Sequence, residues 1–155
     1  MAQEKQFIPK EGQVDFTNIR WCPVVNCLVR YGDKFLLMQR SENLRLYPGC
    51  WNGVSGFLDD KKDLNEKVEE ELREELGIQK MDILSIRLGE IFDQEAKEYG
   101  KTWIVHPILV EVSTDKIVTD WEAQKYVWIL WDDFKEHELM PGFDRVLEKL
   151  SKIIH

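Results

Sequence analysis

Between Gly56 and Ile78 the chain reads GFLDDKKDLNEKVEEELREELGI, nine carboxylates and four basic side chains in one stretch. Carboxylates at this density either coat a solvated helix or hold a hard divalent cation, whose preference for oxygen they satisfy. Direction separates the two, because a helix turns about 100° per residue. With Leu64 at zero, Val68, Leu72 and Leu76 fall at about 40°, 80° and 120°, the arc that must pack on other elements. Glu66, Glu69, Glu70 and Arg73 lie between about 140° and 240° and read as the solvated face, with Glu69 and Arg73 at a favourable i, i+4 spacing. Glu75 falls at about 20°, inside the apolar arc, Glu71 at about −20° on its edge, and Glu74 at about −80° beside Glu71. A carboxylate aimed at a core is costly without compensation, and two at i, i+4 repel. A divalent cation removes both objections. Lys67, at about 300°, is the competing source of positive charge, and geometry leaves both open.

These acids need a helix and a frame to aim them. Asp63 with Glu66 three residues on forms a capping box, and Gly77 suits a left-handed C-terminal position, so the helix should span about 64–76. Upstream, CPVVNCLVR and KFLLMQR read as strands joined by a hairpin at YGDK, followed by a turn-rich loop, SENLRLYPGCWNGVSG. Downstream, DILSIRLGEIFD and TWIVHPILVEV read as strands around the polar turn QEAKEYGK, and KYVWILW as another strand. DDFKEHEL should form a short helix. GFDRVLEKLSKII should be an amphipathic terminal helix with Phe143, Val146, Leu147, Leu150 and Ile154 on one face. Strands and helices alternating this way predict a mixed sheet with helices packed against it.

The chain has 155 residues, 43% hydrophobic and 32% charged, as expected of one globular domain over 1–155 with a polar lead-in at 1–17. Its net charge of −8 argues against a surface that coats a nucleic-acid polymer. A phosphorylated small molecule is compatible with that charge if a cation mediates. Cys22, Cys27 and Cys50 are odd in number and form no C-x-x-C pair, so they read as free thiols. The N-terminus lacks the apolar stretch of a secretory signal and no apolar run approaches the roughly 20 residues of a membrane span, so a cytoplasmic, membrane-free protein is expected.

Gly56–Ile78 resembles the Nudix box, G-x5-E-x7-R-E-U-x-E-E-x-G-U, with U a bulky aliphatic residue. Gly56, Glu71, Leu72, Glu74, Glu75, Gly77 and Ile78 fall on the pattern. KFLLMQRS followed by YPGCWNGVSG is similar to the family's approach to the box. WEAQKYVW is similar to its later segment, in which an acid precedes a strand tryptophan, here Glu122 and Trp128. The resemblance covers roughly residues 20–150 and implies a Nudix-type α/β/α sandwich with a mixed β-sheet and a loop–helix–loop catalytic box. Two positions depart from the box: Lys62 stands where it has its first glutamate, and Glu70 where it has arginine. That arginine is understood to orient the neighbouring glutamate, so the departures imply weak or retuned activity. Lys62 reads as pointing outward, a lost ligand.

The resemblance implies a MutT-like pyrophosphatase: hydrolysis of a diphosphate bond in a nucleoside diphosphate derivative, with Mg²⁺, or Mn²⁺ as a substitute, held by Gly56, Glu71, Glu74 and Glu75. The general base would be Glu71 or a loop acid. Glu122 is the candidate for the latter, while Glu95 and Glu98 read as surface acids. Arg40 is placed to meet phosphate, Trp51 and Trp121 to stack on a base, and Phe143 to lie where some members read it. Trp103, Trp128 and Trp131 read as core, His106 as a satisfied strand residue, and His137 and His155 as solvated. The partner would be a phosphorylated small molecule, with a homodimer as an option for assembly. A catalytically weak or inactive nucleotide-binding module of the same fold is the alternative. An isoprenoid diphosphate isomerase ranks last, because that group's catalytic cysteine maps onto Ser55 and Cys50 comes too early. The proline that marks many ADP-ribose hydrolases is absent at Asp93-Gln94, and Tyr99 is late for the tyrosine of dinucleoside polyphosphate hydrolases. The substrate stays open.

Overall fold

A computed structural model of the chain describes residues 7–154; His155 and the first six residues lie outside them. The strand β1 (Trp21–Tyr31) turns at Gly32, where φ is 60°, into the antiparallel β2 (Lys34–Arg40). Two short strands follow, β3 (Trp51–Asn52) and β4 (Val54–Phe57), then the helix α1 (Leu64–Leu76). Next come β5 (Ile83–Leu88), β6 (Phe92–Ala96), the long β7 (Lys101–Val112) and β8 (Ala123–Ile129). A 3₁₀ turn over Trp131–Glu136 leads to the last helix, α2 (Phe143–Ser151).

All eight strands join one mixed sheet. Its main path is β3-β2-β1-β7-β5, with β4 also on β1, β6 on β7 and β8 on β2. β1 and β7 run parallel at its centre, and every other pairing is antiparallel. Because successive strand residues face opposite sides, the central strands feed two cores. Val25, Cys27, Val29, Leu36, Met38, Ile108 and Val110 pack with Val68, Leu72 and Leu76 of α1. Leu28, Phe35, Leu37, Trp103, Val105 and Leu109 pack with Phe143, Val146, Leu147 and Leu150 of α2. One helix on each face makes the sandwich. Each fully buried Leu contributes about 1.5–3 kcal/mol to holding its layer.

α1 begins and ends where the sequence places it. The Asp63 side chain accepts from the Glu66 N–H at 2.9 Å, and Gly77 sits at φ 69° with its N–H on the Arg73 carbonyl. Other expectations need correction. The turn-rich segment before the box contains β3 and β4, held as strands by pairing with β2 and β1. DILSIRLGEIFD is not one strand: it breaks around Gly89 into β5 and β6, which pair with opposite ends of β7. β6 takes in Gln94 to Ala96, so the turn shrinks to a 3₁₀ turn at Lys97–Tyr99. The short helix in DDFKEHEL is 3₁₀, starting at Trp131. His137, expected to be solvated, is half-buried, its ring edge-on to Trp51 at 4.9 Å.

Candidate functional site

Strand pairing sets the floor of the site. β4 lies antiparallel to β1 with Gly56 opposite Val25 and Ser55 opposite Asn26. Glu71 of α1 lies so close to this strand that a Cβ added to Gly56 would stand 2.5 Å from its Oε1. A side chain there would have to displace Glu71, and glycine leaves it room. Glu75, one turn on, is 7% exposed, and its Oε2 has no hydrogen-bond partner among the described residues.

These acids face a cavity of about 380 Å³. Glu70, Glu71, Glu74 and Glu75 line it from α1, and Glu122 from the segment just before β8. Arg40 at the end of β2 and Lys10 bring positive charge to the wall. Tyr47, Phe57, Trp103, Val105 and Met140 add apolar surface to the lining, with Phe57 edge-on to Trp103, and Gln94 lines it too. Arg40 is held by its own Nε, which donates to the Leu46 carbonyl at 3.0 Å. Trp103 belongs to the core as expected, and its Nε1 donates to the Tyr47 hydroxyl at 3.0 Å.

Crowding acids away from water changes their titration. Burial pushes the Glu71 carboxyl up to about 7; Glu74 and Glu122 push the same way, while a hydrogen bond with Glu75 and the charge of Lys67 pull it back. Glu75 is pushed well above the usual carboxylate range, by burial first and then by Glu122 and Glu71. Burial also raises Asp120, whose carboxylate accepts the Glu122 N–H at 3.0 Å. Among the described residues no three Asp, Glu, His or Cys side chains are drawn into a metal-holding group.

A chain of alternating charges stands at the mouth. Lys67 is 4% exposed, and its Nζ is 3.1 Å from both Asp59 and Asp60. Its ion pairs thus go to the loop rather than to Glu71 and Glu75, although its charge still pulls the Glu71 carboxyl down. Lys62 Nζ stands 3.2 Å from Asp60 and 2.7 Å from Glu70 Oε2. It is exposed but engaged, so the reading of an idle outward lysine is corrected. Glu70, assigned to the solvated face, lines the cavity.

Of the proposed substrate-facing residues, only Arg40 lines the cavity. Phe143 is fully buried, its ring 6.1 Å from that of Phe134, so it serves the core beneath α2. Trp51 packs on His137 and the α2-side core. Trp121 is 62% exposed and outside the cavity wall. Glu95 lies on β6 and Glu98 in the following 3₁₀ turn, both away from the wall. Ser55 lines the cavity; Cys22 and Cys27 are fully buried, and all three cysteines are free.

Sequence reasoning missed the contribution of the lead-in. Gln13 Nε2 donates to Asp59 at 2.8 Å and the Val14 N–H to the Asp59 carbonyl at 2.6 Å, which brings Lys10 and Gln13 to the cavity. Lys101, at the start of β7, donates its buried ammonium to the carbonyls of Phe16, Thr17 (3.1 Å) and Ile19 (2.6 Å). Nothing periodic in residues 7–20 signals this; the one clue is a lysine leading an apolar strand.

Known proteins resemble this chain in sequence and, for the solved structure, in fold. The chain is 24% identical over 132 residues to an uncharacterised Nudix hydrolase, YvcI, of Bacillus subtilis, covering 83% of this chain and 78% of that protein. It is 30% identical over 131 residues to an isopentenyl-diphosphate Delta-isomerase of Haloarcula marismortui, covering 76% and 69%. The crystal structure of a MutT protein from Methanosarcina mazei superposes with a TM-score of 0.71 at 24% identity, over 88% of this chain and 97% of that one, a likeness of fold. The family model of the NUDIX domain matches residues 20–150, and the chain belongs to the Nudix family.

Proposed function

We propose that this chain is a divalent-metal-dependent hydrolase that cleaves a diphosphate bond in a nucleoside diphosphate derivative. The observation that carries the reading is the convergence of Glu71, Glu74, Glu75 and Glu122 with Arg40 and Lys10 on one cavity. Nudix hydrolases act on pyrophosphate-containing substrates and generally use divalent metals. The donor set fits such a cation: it is all hard oxygen, and a buried Glu75 oxygen lacks any other partner. Glu71, Glu74 and Glu75 would hold it, with Gly56 giving Glu71 room. When bound, Mg²⁺ would neutralise phosphate charge and make a bound water more acidic. Arg40 and Lys10 would bind the non-bridging phosphate oxygens. Glu71, or Glu122 from across the cavity, would take the proton of the attacking water; hydrolysis of this kind needs positioning and charge more than covalent chemistry. The apolar lining around Trp103 would take the group attached to the diphosphate.

The test is a panel of nucleoside triphosphates, nucleotide sugars and dinucleotides incubated with Mg²⁺, with the phosphate products identified. Product that depends on Mg²⁺ and vanishes in Glu75→Gln supports the reading. Nucleotide-dependent thermal stabilisation without product over long incubation would instead mark a binding module.

The Haloarcula relative favours a second reading, isomerisation of an isoprenoid diphosphate. Ser55, onto which that group's catalytic cysteine maps by the sequence resemblance, lines the cavity. Incubation with isopentenyl diphosphate, followed for the allylic isomer, decides it; absence of isomer removes this reading.

A further inference from the structure

The two positions at which this chain departs from its family's box touch each other. Lys62 Nζ lies 2.7 Å from Glu70 Oε2. The box has an acid at the first position and an arginine at the second; here acid and base have traded places. We propose that Lys62 and Glu70 are a single polarity-reversed ion pair that positions the metal-facing turn of α1, with Glu70 as a positioning residue for Glu71. This rests on the metal-dependent reading of the site.

Three observations carry it. First, the Glu70 side chain is only 17% exposed, and no hydrogen bond satisfies its Oε2. The Lys62 charge is what compensates it, and a part-buried carboxylate stripped of its counter-charge would seek water and drag its turn along. Second, the pair is the end of a ladder. Lys62 also pairs with Asp60 at 3.2 Å, Asp60 with Lys67 at 3.1 Å, and Lys67 with Asp59 at 3.1 Å. Signs alternate along it, so the loop 59–62 is tied to two successive turns of α1, and reversing either Lys62 or Glu70 alone sets like charges together. Third, Glu70 directly precedes Glu71, whose side chain lies against the backbone of Gly56 and lines the cavity. A small tilt of that turn therefore moves the acid that faces the cavity. The two departures together keep the contact that either alone would break.

The experiment compares Lys62→Glu, Glu70→Arg, the double variant K62E/E70R, and the charge-conserving Lys62→Arg. Two quantities are read: Mn²⁺ affinity by electron paramagnetic resonance, and melting temperature without metal. Lys62→Glu separates positioning from simple charge, since added negative charge alone would tighten Mn²⁺ binding. The expected result is roughly 10-fold weaker binding in both single reversals. The double variant, with unchanged net charge, regains the 62–70 pair but sets a carboxylate at position 62 beside Asp60. It should therefore bind Mn²⁺ more tightly than either single reversal and melt higher than the summed single shifts allow. Lys62→Arg should match the parent. Tighter binding in Lys62→Glu, or melting shifts that simply add, overturns the proposal. If the parent binds no Mn²⁺, the metal-dependent function fails, and coupling in the melting temperatures alone decides the pair.

Discussion

Glu71 and Glu75 bind protons in the folded chain that the unfolded chain has released. Their ordinary value is 4.5, and folding raises Glu71 to about 7 and pushes Glu75 well above that ordinary value, burial being the first cause in both. The folded state therefore holds more protons above about pH 4.5, and linkage makes stability fall as pH rises from there through about 7. Metal-free protein should melt several degrees lower at about pH 8 than at about pH 5.5, and Mg²⁺ should restore most of the loss at the higher pH while adding little at the lower. Calorimetry at the two pH values checks both. Glu75→Gln removes the buried charge while keeping the shape. At about pH 8 it should raise the metal-free melting temperature by a few degrees and lower turnover by about 100-fold or more. Unchanged turnover would remove Glu75 from the site.

At the scale of elements, the helix that carries these acids was legible because its signals are local. The 3.6-residue recurrence of Leu64, Val68, Leu72 and Leu76, the Asp63 cap and the Gly77 stop all lie within α1 or beside it. Asp63→Ala should therefore cost about 1 kcal/mol of stability and leave turnover intact, as denaturant unfolding and an assay would report. β3 and β4 were not legible, since Trp51–Phe57 is rich in turn formers and becomes strand only by pairing with residues 24–27 of β1 and 38–39 of β2. The break between β5 and β6 is likewise tertiary: a Cβ on Gly89 would stand 3.2 Å from a methyl of Leu150 in α2. The aromatic residues failed as markers of the site because a ring at a loop or a helix start carries no sign of which side of the sheet it will face. Phe143 and Trp51 face the α2 layer, which no local pattern dictates. Gly56→Ala tests the floor of the site. Its Cβ must displace Glu71, so metal affinity should fall sharply while overpacking costs about 1–3 kcal/mol. Mn²⁺ titration alongside thermal melting separates the two effects.

Across the whole molecule, the sheet separates two cores, and the cavity opens where the ends of β1, β2, β4 and β7 meet α1 and the incoming chain. Lys101 is the knot between that incoming chain and the sheet. Replacing it with Met leaves three carbonyls without their donor, at a cost of about 1–3 kcal/mol. Cleavage by trypsin after Lys10 and Arg20 should quicken in Lys101→Met relative to the parent, followed by mass spectrometry; equal cleavage rates would mean the segment is held by other contacts.

The same knot bears on where the working unit begins. The family match starts at residue 20, after the three carbonyls that Lys101 holds and after Lys10 and Gln13 of the cavity wall. A chain cut where the family match begins would keep every box residue and all eight strands. It would also leave a buried ammonium facing nothing and one flank of the cavity missing. For this protein the recombinant boundary that looks safest by homology is the one most apt to yield a folded domain with an altered site.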